Sequence, residues 1–284
     1  MRCAAKTNLF LKVTGKRPDG YHTLQTLFLP LPGLADDLIF RDGDPGVRCL
    51  SANADFPDNL VCRAAHLYAE AAGVKPAWDF ILEKNIPVAA GLGGGSSDAA
   101  GALLLLNKRY GCFSAEELAA LAVKLGADVP FFLDPRPAWA SGIGEEFRYL
   151  EPLKELPPVL VVNPAFPVSA RWAYTHLLPE NIGPADPMRM ARMEAALCAG
   201  DSCGVAREVH NDLAPALFRK FSLLVLLRDF MLAHGALCAE VSGSGSSLFA
   251  ILPDHAGCRS LGDALRAEFA GQSLRIFDIC SGLS

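Results

Sequence analysis

The residues that most narrow the chemistry of this chain are Gly91-Leu92-Gly93-Gly94-Gly95-Ser96-Ser97-Asp98. Glycine loses more backbone entropy on folding than any other residue, so a run with glycines at 91, 93, 94 and 95 persists where bare backbone must approach something closely. The stretch before the run, Trp78 to Ile86, predicts a strand, and the stretch after it, Ala99 to Tyr110, predicts a helix. A helix start contributes unsatisfied N–H groups and a partial positive charge of about half a unit. Loop and helix start together make an anion cradle, for which phosphate is the usual occupant.

The run is neither of the two commonest phosphate loops. A P-loop closes its glycines with Lys-Ser/Thr, and no such pair follows Gly95. A dinucleotide fingerprint wants an acid about 20 residues on, at the end of a second strand. Residues 117–119 are instead Glu-Leu-Ala inside a helical pattern. A flexible linker would not be flanked by a strand and an apolar helix. A second amide-rich turn, Ser242-Gly243-Ser244-Gly245-Ser246-Ser247, is a bare Gly-Ser hairpin when read alone. Two such loops in one chain fit a reaction with two phosphorylated reactants.

The elements that must position these loops follow from periodicity and punctuation. Asn8 to Val13 alternates, and Arg17-Pro18-Asp19-Gly20 supplies turn chemistry before a strand over Tyr21 to Leu29. Asp58-Asn59-Leu60 opens a helix to about Ala72, with Gly73 as its stop. Ser114 followed by Glu117 is a capping box for a helix to Leu125, stopped by Gly126. Glu151-Pro152 and Pro157-Pro158 punctuate the chain after Leu150, which predicts domains over 1–150 and 151–284. Beyond them, Val159 to Val162, Ala236 to Ser242, Leu248 to Leu252 and Leu274 to Asp278 read as strands. Met188 to Cys198, Phe221 to His234 and Ala256 to Phe269 read as helices. Strands and helices mix without regular βαβ alternation, so the fold class expected is α+β in two domains.

Bulk properties bound the partners. At 284 residues, 51% hydrophobic and 20% charged, the chain has ample core for a soluble globular protein. A net charge of −5 argues against nucleic acid and anionic membrane as partners. Nine scattered cysteines, odd in number and without a CxxC, fit reduced thiols in a cytoplasmic compartment better than a disulfide framework or a zinc site. Met1 to Asn8 lacks the apolar stretch of a signal peptide, so a cytoplasmic location is expected. No sustained heptad is present, and a monomer or weak homodimer is expected.

Three features in this order resemble the motifs of the GHMP kinases: Ala5-Lys6-Thr7-Asn8-Leu9, the glycine run, and Ser242 to Ser247. Thr14-Gly15-Lys16-Arg17-Pro18-Asp19-Gly20-Tyr21-His22-Thr23-Leu24-Gln25-Thr26 is more specific, as are Gly126-Ala127-Asp128-Val129-Pro130-Phe131-Phe132 and Gly142-Ile143-Gly144-Glu145. These resemble the cytidine-recognising branch, which acts on a diphosphocytidyl methylerythritol in the non-mevalonate isoprenoid route. The likeness spans essentially the whole chain and is densest up to about residue 145. Beyond that it rests on Asn163-Pro164, Asn211-Asp212-Leu213 and the late loop. It implies an N-terminal ribosomal-S5-domain-2-like domain and a C-terminal ferredoxin-like domain. It also implies transfer of the ATP γ-phosphate, with magnesium, to the 2-hydroxyl of the methylerythritol unit of a cytidine diphosphate substrate.

On that resemblance Asp128 is the candidate base and Lys6 its cationic partner. Phosphoryl transfer has a loose transition state, so a carboxylate need only orient the hydroxyl and take its proton late. The hydroxyl is tertiary and crowded, which makes orientation matter more. Read without the surrounding motif, Asp128 is a loop aspartate capping a turn before Pro130, and Lys6 a solvated lysine at a strand start. Pro87, Val88, Ala89, Ala90, Gly91, Leu92, Gly93, Gly94, Gly95, Ser96 and Ser97 are expected to wrap the triphosphate. Ser96 or Ser97 bonds a phosphate or orients the magnesium, simple N-capping being the alternative. No protein metal ligand is assigned. The family usually has glycine where this chain has Ala89, and a methyl group there narrows the backbone freedom of the loop. Asn59 and Lys84 match positions near the adenine. Asn8, Tyr21, His22, Ile143, Gly243 and Gly245 fall on the substrate side. Tyr174 is the expected stacker on the cytosine, with Trp172 as the alternative, since either offers a flat face.

Two other readings stay open on sequence. Another small-molecule kinase of the superfamily, acting on mevalonate, homoserine or a sugar, is disfavoured by residues 14–26. A non-catalytic nucleotide sensor or an S5-like RNA-binding module is disfavoured by Lys6 with Asp128 and by the acidic charge.

Overall fold

Two long strands open the chain in the computed structural model, which describes residues 1–51, 59–151, 153 and 155–279. Strand β1 runs over Arg2–Lys16 and β2 over His22–Asp42, both longer than alternation alone predicts. The turn between them has Gly20 N–H donating to Arg17 O (3.0 Å) and Tyr21 N–H donating to Asp19 Oδ1 (3.1 Å). Gly20 sits at φ +90°, a conformation glycine adopts without penalty. Ala5 to Leu11 is buried without a break, polar Lys6, Thr7 and Asn8 included. Continuous burial marks a strand covered on both faces, and its polar side chains must then find partners inside the protein.

The chain packs as two compact units drawn from interleaved stretches. Met1–Ala5, Leu34–Val88 and Gly93–Pro135 form the first, and Lys6–Gly33, Ala89–Leu92 and Arg136–Ser284 the second. The expected domains are consecutive; these units are not, because the long strands β1 and β2 supply residues to both.

In the first unit β3 (Gly46–Ser51) runs parallel to β4 (Ala77–Glu83). The end of β2 pairs antiparallel with β4, from Asp37 opposite Glu83 to Asp42 opposite Trp78. Three helices follow the predicted punctuation: α1 (Leu60–Ala72), α2 (Gly94–Tyr110) and α3 (Ala115–Leu125). Asn59 caps α1 through Val61 N–H (2.8 Å), and Gly73 ends it at φ +66°. The capping box of α3 is complete, Ser114 N–H donating to Glu117 Oε2 at 2.8 Å and Glu117 N–H to Ser114 Oγ at 3.3 Å. The helices bury small and aliphatic faces, among them Ala64, Ala65, Ala99, Leu103, Leu106, Leu118 and Leu121.

In the second unit the start of β2 pairs antiparallel with β5 (Ala138–Ser141), which forms a hairpin with β6 (Glu146–Tyr149). A separate four-stranded sheet is entirely antiparallel, in the order β11 (Arg275–Asp278), β7 (Val159–Asn163), β10 (Leu248–Ile251), β9 (Cys238–Val241). Between β7 and β9 come α4 (Ala170–Thr175), α5 (Pro187–Ala199), α6 (Ser202–Glu208), β8 (His210–Asn211), α7 (Ala214–Lys220) and α8 (Ser222–Ala233). Helix α9 (His255–Glu268) precedes β11. Short β8 pairs in parallel with β1, Phe10 opposite His210. Leu160, Val162, Leu224, Leu227, Met231, Leu248, Leu261 and Leu265 are part of one apolar core. The α+β class expected from the sequence is the class observed. Among the described residues no helix is long and apolar enough to cross a membrane.

Candidate active site

Helix α2 begins at Gly94 and not at Ala99, so the glycine run is the first turn of the helix as well as the loop before it. Gly93 is the N-cap at φ +73° and has no side chain to cap with. The N–H groups of Gly94, Gly95 and Ser96 therefore reach the helix start with no side-chain acceptor, while Ser97 N–H bonds Gly93 O at 2.9 Å. Gly94 is required by packing: a Cβ there would lie 2.9 Å from Ile86 Cγ2 and 3.2 Å from Lys84 Nζ. Of the two serines Ser97 is buried, so Ser96 has the more accessible hydroxyl. This bare helix start fits a polyphosphate by the chemistry of its donors.

Behind the helix start lies a buried charge cluster that the sequence reading does not predict. Lys84 Nζ donates to Asp36 Oδ2 and, at 2.8 Å, to Asp98 Oδ2 in the first turns of α2. Asp36 Oδ1 also accepts from Asn85 N–H (2.6 Å) and Ile86 N–H (2.8 Å). The cluster ties β2, the end of β4 and the start of α2 to one another, directly beneath the loop. Asp98 Oδ1 is buried with no hydrogen-bond partner. Burial above all, offset by Lys84 and reinforced by Asp36, pushes the Asp98 carboxyl up to about 7. Burial by itself would lower the Lys84 ammonium, but Asp98 and Asp36 outweigh it and raise it. Strand parity carries a signal for Asp36, which falls on the same face as buried Leu34 and Leu38.

Asp128 occupies a turn between α3 and a short 3₁₀ segment, Pro130–Leu133, also in the first unit. Val129 N–H bonds Gly126 O (3.1 Å), Phe132 N–H bonds Val129 O (3.1 Å), and buried Phe131 and Phe132 anchor the turn edge to face. The turn presents a half-buried carboxyl on a backbone held by its neighbours. Asn59, read near the adenine, uses Oδ1 to cap α1 and turns Nδ2 to Cys49 Sγ at 3.2 Å.

In the second unit Lys6 is only 5% exposed, which removes the solvated-lysine reading. Its Nζ donates to Asn8 Oδ1 at 2.8 Å and lies 4.5 Å from the centre of the Phe28 ring. Asn8 Nδ2 donates to Thr26 Oγ1 (2.7 Å), and Thr26 Oγ1 to Phe10 O (2.6 Å). The relay sets the orientation of Asn8 and, through it, the ammonium of Lys6. Lys6 N–H bonds Leu92 O at 3.0 Å, so the same residue is tied to the glycine-rich segment.

Residues Ala89–Leu92 of that segment pack on the late Gly-Ser loop. Ser242 Oγ donates to Gly91 O (3.0 Å), Ser247 N–H to Ala90 O (3.1 Å), and Thr7 Oγ1 to Ser242 Oγ (2.9 Å). Asn211 Nδ2 holds the loop through Val241 O (2.9 Å) and Gly243 O (2.8 Å). Gly243 and Gly245 sit at φ +53° and +75°, and a Cβ on Gly243 would come 3.0 Å from Asn8 Oδ1. Ala89 adopts φ +50°, which explains why glycine is usual there and why the alanine is strained. Gly91, at φ +77°, tolerates no side chain: a Cβ would lie 1.9 Å from Ser242 O. The conformation alone penalises alanine by about 1–2 kcal/mol, so Gly91→Ala is expected to lower kcat/KM for the nucleotide by roughly tenfold or more. Steady-state kinetics with varied nucleotide checks this; an unchanged ratio removes the packing argument.

Of the residues expected on the substrate side, His22 and Tyr174 stack with ring centres 5.4 Å apart and planes at 18°. The alternative, Trp172, is engaged elsewhere: it stacks on His176, meets Phe221 edge to face and lies under Lys220. Burial first, then Lys16, lowers the His22 imidazole, which favours the neutral ring in the stack. Tyr21 is exposed. Ile143 N–H bonds Glu145 Oε2 (2.6 Å) in the loop between β5 and β6, and Leu24 N–H bonds Gly142 O (2.8 Å). The second unit thus brings together Lys6 with Asn8, His22 with Tyr174, and Gly91 with the late loop. Asp128, Lys84, Asn59 and Gly93 to Ser97 belong to the first unit.

Residues 59–134 match the GHMP kinases N terminal domain, and residues 193–271 the GHMP kinases C terminal domain. A 4-diphosphocytidyl-2-C-methyl-D-erythritol kinase of Syntrophotalea carbinolica is 40% identical over 95% of this chain and 93% of its own length. The chain belongs to the 4-diphosphocytidyl-2-C-methyl-D-erythritol kinase family. A crystal structure of a 4-(cytidine 5'-diphospho)-2C-methyl-D-erythritol kinase, 38% identical, superposes with a TM-score of 0.81 over 98% of this chain and 97% of that one. The homoserine kinase of Cytophaga hutchinsonii, at 18% identity and a TM-score of 0.69 over 98% of this chain and 95% of that one, shares the fold alone. Membership of a GHMP kinase family supports ATP as the phosphoryl donor.

Proposed function

We propose that the protein transfers the γ-phosphoryl group of ATP to the 2-hydroxyl of 4-diphosphocytidyl-2-C-methyl-D-erythritol, in the non-mevalonate route to isoprenoid precursors. The observation that carries this reading is Lys6, a buried lysine whose ammonium is aimed by Asn8 and seated over Phe28. A transfer that depends on positioning and charge neutralisation needs such a cation already in place. Asp128 orients the hydroxyl and accepts its proton. The backbone N–H groups of Gly94 to Ser96 hold phosphate oxygens. Magnesium, when bound with the nucleotide, neutralises charge between the phosphates. The ion is read as carried by the nucleotide, with Ser96 at hand. The consecutive domains 1–150 and 151–284 belong to this reading, supported by matched segments lying on either side of residue 150. So do a cytoplasmic location and a monomer or weak homodimer.

The His22–Tyr174 stack supports a cytosine site built on Tyr174. Base–aromatic stacking contributes about 1–3 kcal/mol, so Tyr174→Ala is expected to raise KM for the cytidine substrate about tenfold and leave that for ATP alone. The same change in Trp172→Ala, with Tyr174→Ala silent, would move the stacker to Trp172. The reaction itself is tested by magnesium-dependent ADP release coupled to NADH oxidation, with the cytidine compound, mevalonate, homoserine or no acceptor. Turnover with the cytidine compound alone is the expected result. Turnover with another alcohol would discard the roles of Tyr21, His22 and Tyr174.

A further inference from the structure

The motif Asn211-Asp212-Leu213 lies at the end of short β8, in the second unit, with Asn211 3% and Asp212 2% exposed. Its two polar residues hold different things. Asp212 grips β1: its N–H donates to Leu11 O (3.0 Å), and its Oδ2 accepts from Val13 N–H (2.7 Å) and pairs with Lys12 Nζ (3.2 Å). Asn211 grips the late Gly-Ser loop. Its Oδ1 accepts from Leu213 N–H (2.9 Å), which fixes the orientation of the amide. Both Nδ2 protons are then spent on Val241 O (2.9 Å) and Gly243 O (2.8 Å).

The second of these bonds falls on the part of the loop that nothing else fixes. Gly245 N–H on Ser242 O (2.9 Å) closes a turn over residues 242–245. That closing bond is common to turn types that differ by rotation of the central peptide, here the one joining Gly243 to Ser244. A planar trans peptide points its N–H opposite to its C=O. Gly243 O held by Asn211 therefore sends Ser244 N–H the other way. Ser244 is the half-buried residue of a loop otherwise buried, and among the described residues its N–H donates to no acceptor. The loop cannot simply shift to compensate, because a Cβ on Gly243 would already lie 3.0 Å from Asn8 Oδ1 and 3.2 Å from Gly91 O.

We propose that Asn211 is a positioning residue for the acceptor: it sets the central peptide of the late turn so that Ser244 N–H donates to a diphosphate oxygen of the cytidine substrate. This rests on the reaction read above and on the late loop as a substrate-side element. A backbone N–H set in advance suits an anionic oxygen, since the bond is charge-assisted and needs no side chain to be ordered.

Asn211→Asp keeps the size and the acceptor for Leu213 N–H but sets an oxygen against two carbonyl oxygens. Asn211→Ser, too short to reach either carbonyl, repeats the test without the added charge. Both are expected to raise KM for the cytidine substrate about tenfold and to leave KM for ATP within about twofold. Asp212→Asn is the control: it weakens the grip on Lys12 and lowers Tm without touching Gly243 O, and KM for the cytidine substrate should stay near that of the wild type. An unchanged KM in the Asn211 variants would overturn the proposal. So would an equal rise for ATP, or the same rise in Asp212→Asn, since either would mean a general loosening. A binding readout needs no turnover. In protein carrying isotopically labelled serine, the Ser244 amide resonance, identified by its loss in Ser244→Ala, is expected to move when cytidine 5'-diphosphate is titrated into the wild type and to stay still in Asn211→Ser. Movement of other serine resonances with Ser244 unmoved in the wild type would overturn the donor and leave the reaction standing. Wild-type turnover of a different alcohol would overturn the reaction instead, with the serine spectra still deciding the donor.

Discussion

Asp128→Ala is expected to lower kcat by about 10²–10⁴-fold while nucleotide affinity stays near that of the wild type, since a positioned general base contributes a factor of that order. The separation follows from the structure. The turn that carries Asp128 is held by Val129 N–H on Gly126 O, by Phe132 N–H on Val129 O and by two buried phenylalanines. Removing the carboxyl leaves that backbone and its apolar anchors in place. The bare N–H groups at the start of α2 are likewise untouched. Single-turnover kinetics together with calorimetric titration of a non-hydrolysable ATP analogue read the two quantities apart. Near-normal turnover would remove Asp128 as the base; parallel loss of nucleotide binding would make it part of the nucleotide site.

Lys84→Ala is expected to have the largest effect on stability. It leaves Asp36, which is 0% exposed, and Asp98, which is 2% exposed, as two buried carboxylates without their shared cation. Breaking a buried ion pair by deleting one partner destabilises by about 3–5 kcal/mol. For a chain of this size that lowers Tm by roughly 10 °C. Because the cluster ties the start of α2 to the end of β4, loss of nucleotide affinity should accompany the loss of stability. Asp98→Asn in the Lys84→Ala background should recover part of both, since an amide cannot ionise beside buried Asp36. An unchanged Tm in Lys84→Ala would mean that the carboxylates find other partners and that the cluster does not hold the loop.

Asp98 also gives the cluster a pH dependence with a definite sign. Its carboxyl is pushed up to about 7 in the fold, burial being the largest cause, from about 4 in an unfolded chain. The folded state therefore holds a proton that the unfolded state has released. The stability linked to that proton is complete below the unfolded value and is lost as pH rises through about 7. The wild type should gain Tm relative to Asp98→Asn as pH falls from alkaline to mildly acid, read by thermal denaturation of both at each pH. A difference independent of pH would place the Asp98 titration outside that range.

The candidate site is partly legible in the sequence because much of its chemistry is local. A glycine run leading into an apolar helix, an Asp128 turn closed by Pro130, and a Gly-Ser hairpin are each contained in a few consecutive residues. Helix ends are legible for the same reason: Asn59, Gly73, Ser114 with Glu117, and Gly126 act through bonds to neighbours within a turn. What sequence alone determined is the family, the α+β class, the bare glycine backbone that runs into a helix and the residue types at hand.

Only the tertiary structure decided what surrounds those residues. Lys6 reads as a surface lysine until Ala5 to Leu11 proves buried without a break, with Asn8 and Phe28 against its ammonium. Lys84 matches a position near the adenine by sequence, and only the fold shows Asp36 and Asp98 on it, residues 48 and 14 positions away. Tyr174 and Trp172 are equivalent as flat faces; packing separates them, because Trp172 is held by His176, Phe221 and Lys220 while Tyr174 stacks on His22. The common physical reason is that burial and long-range pairing set the charge, orientation and availability of a side chain, and neither is encoded in the spacing of its neighbours along the chain.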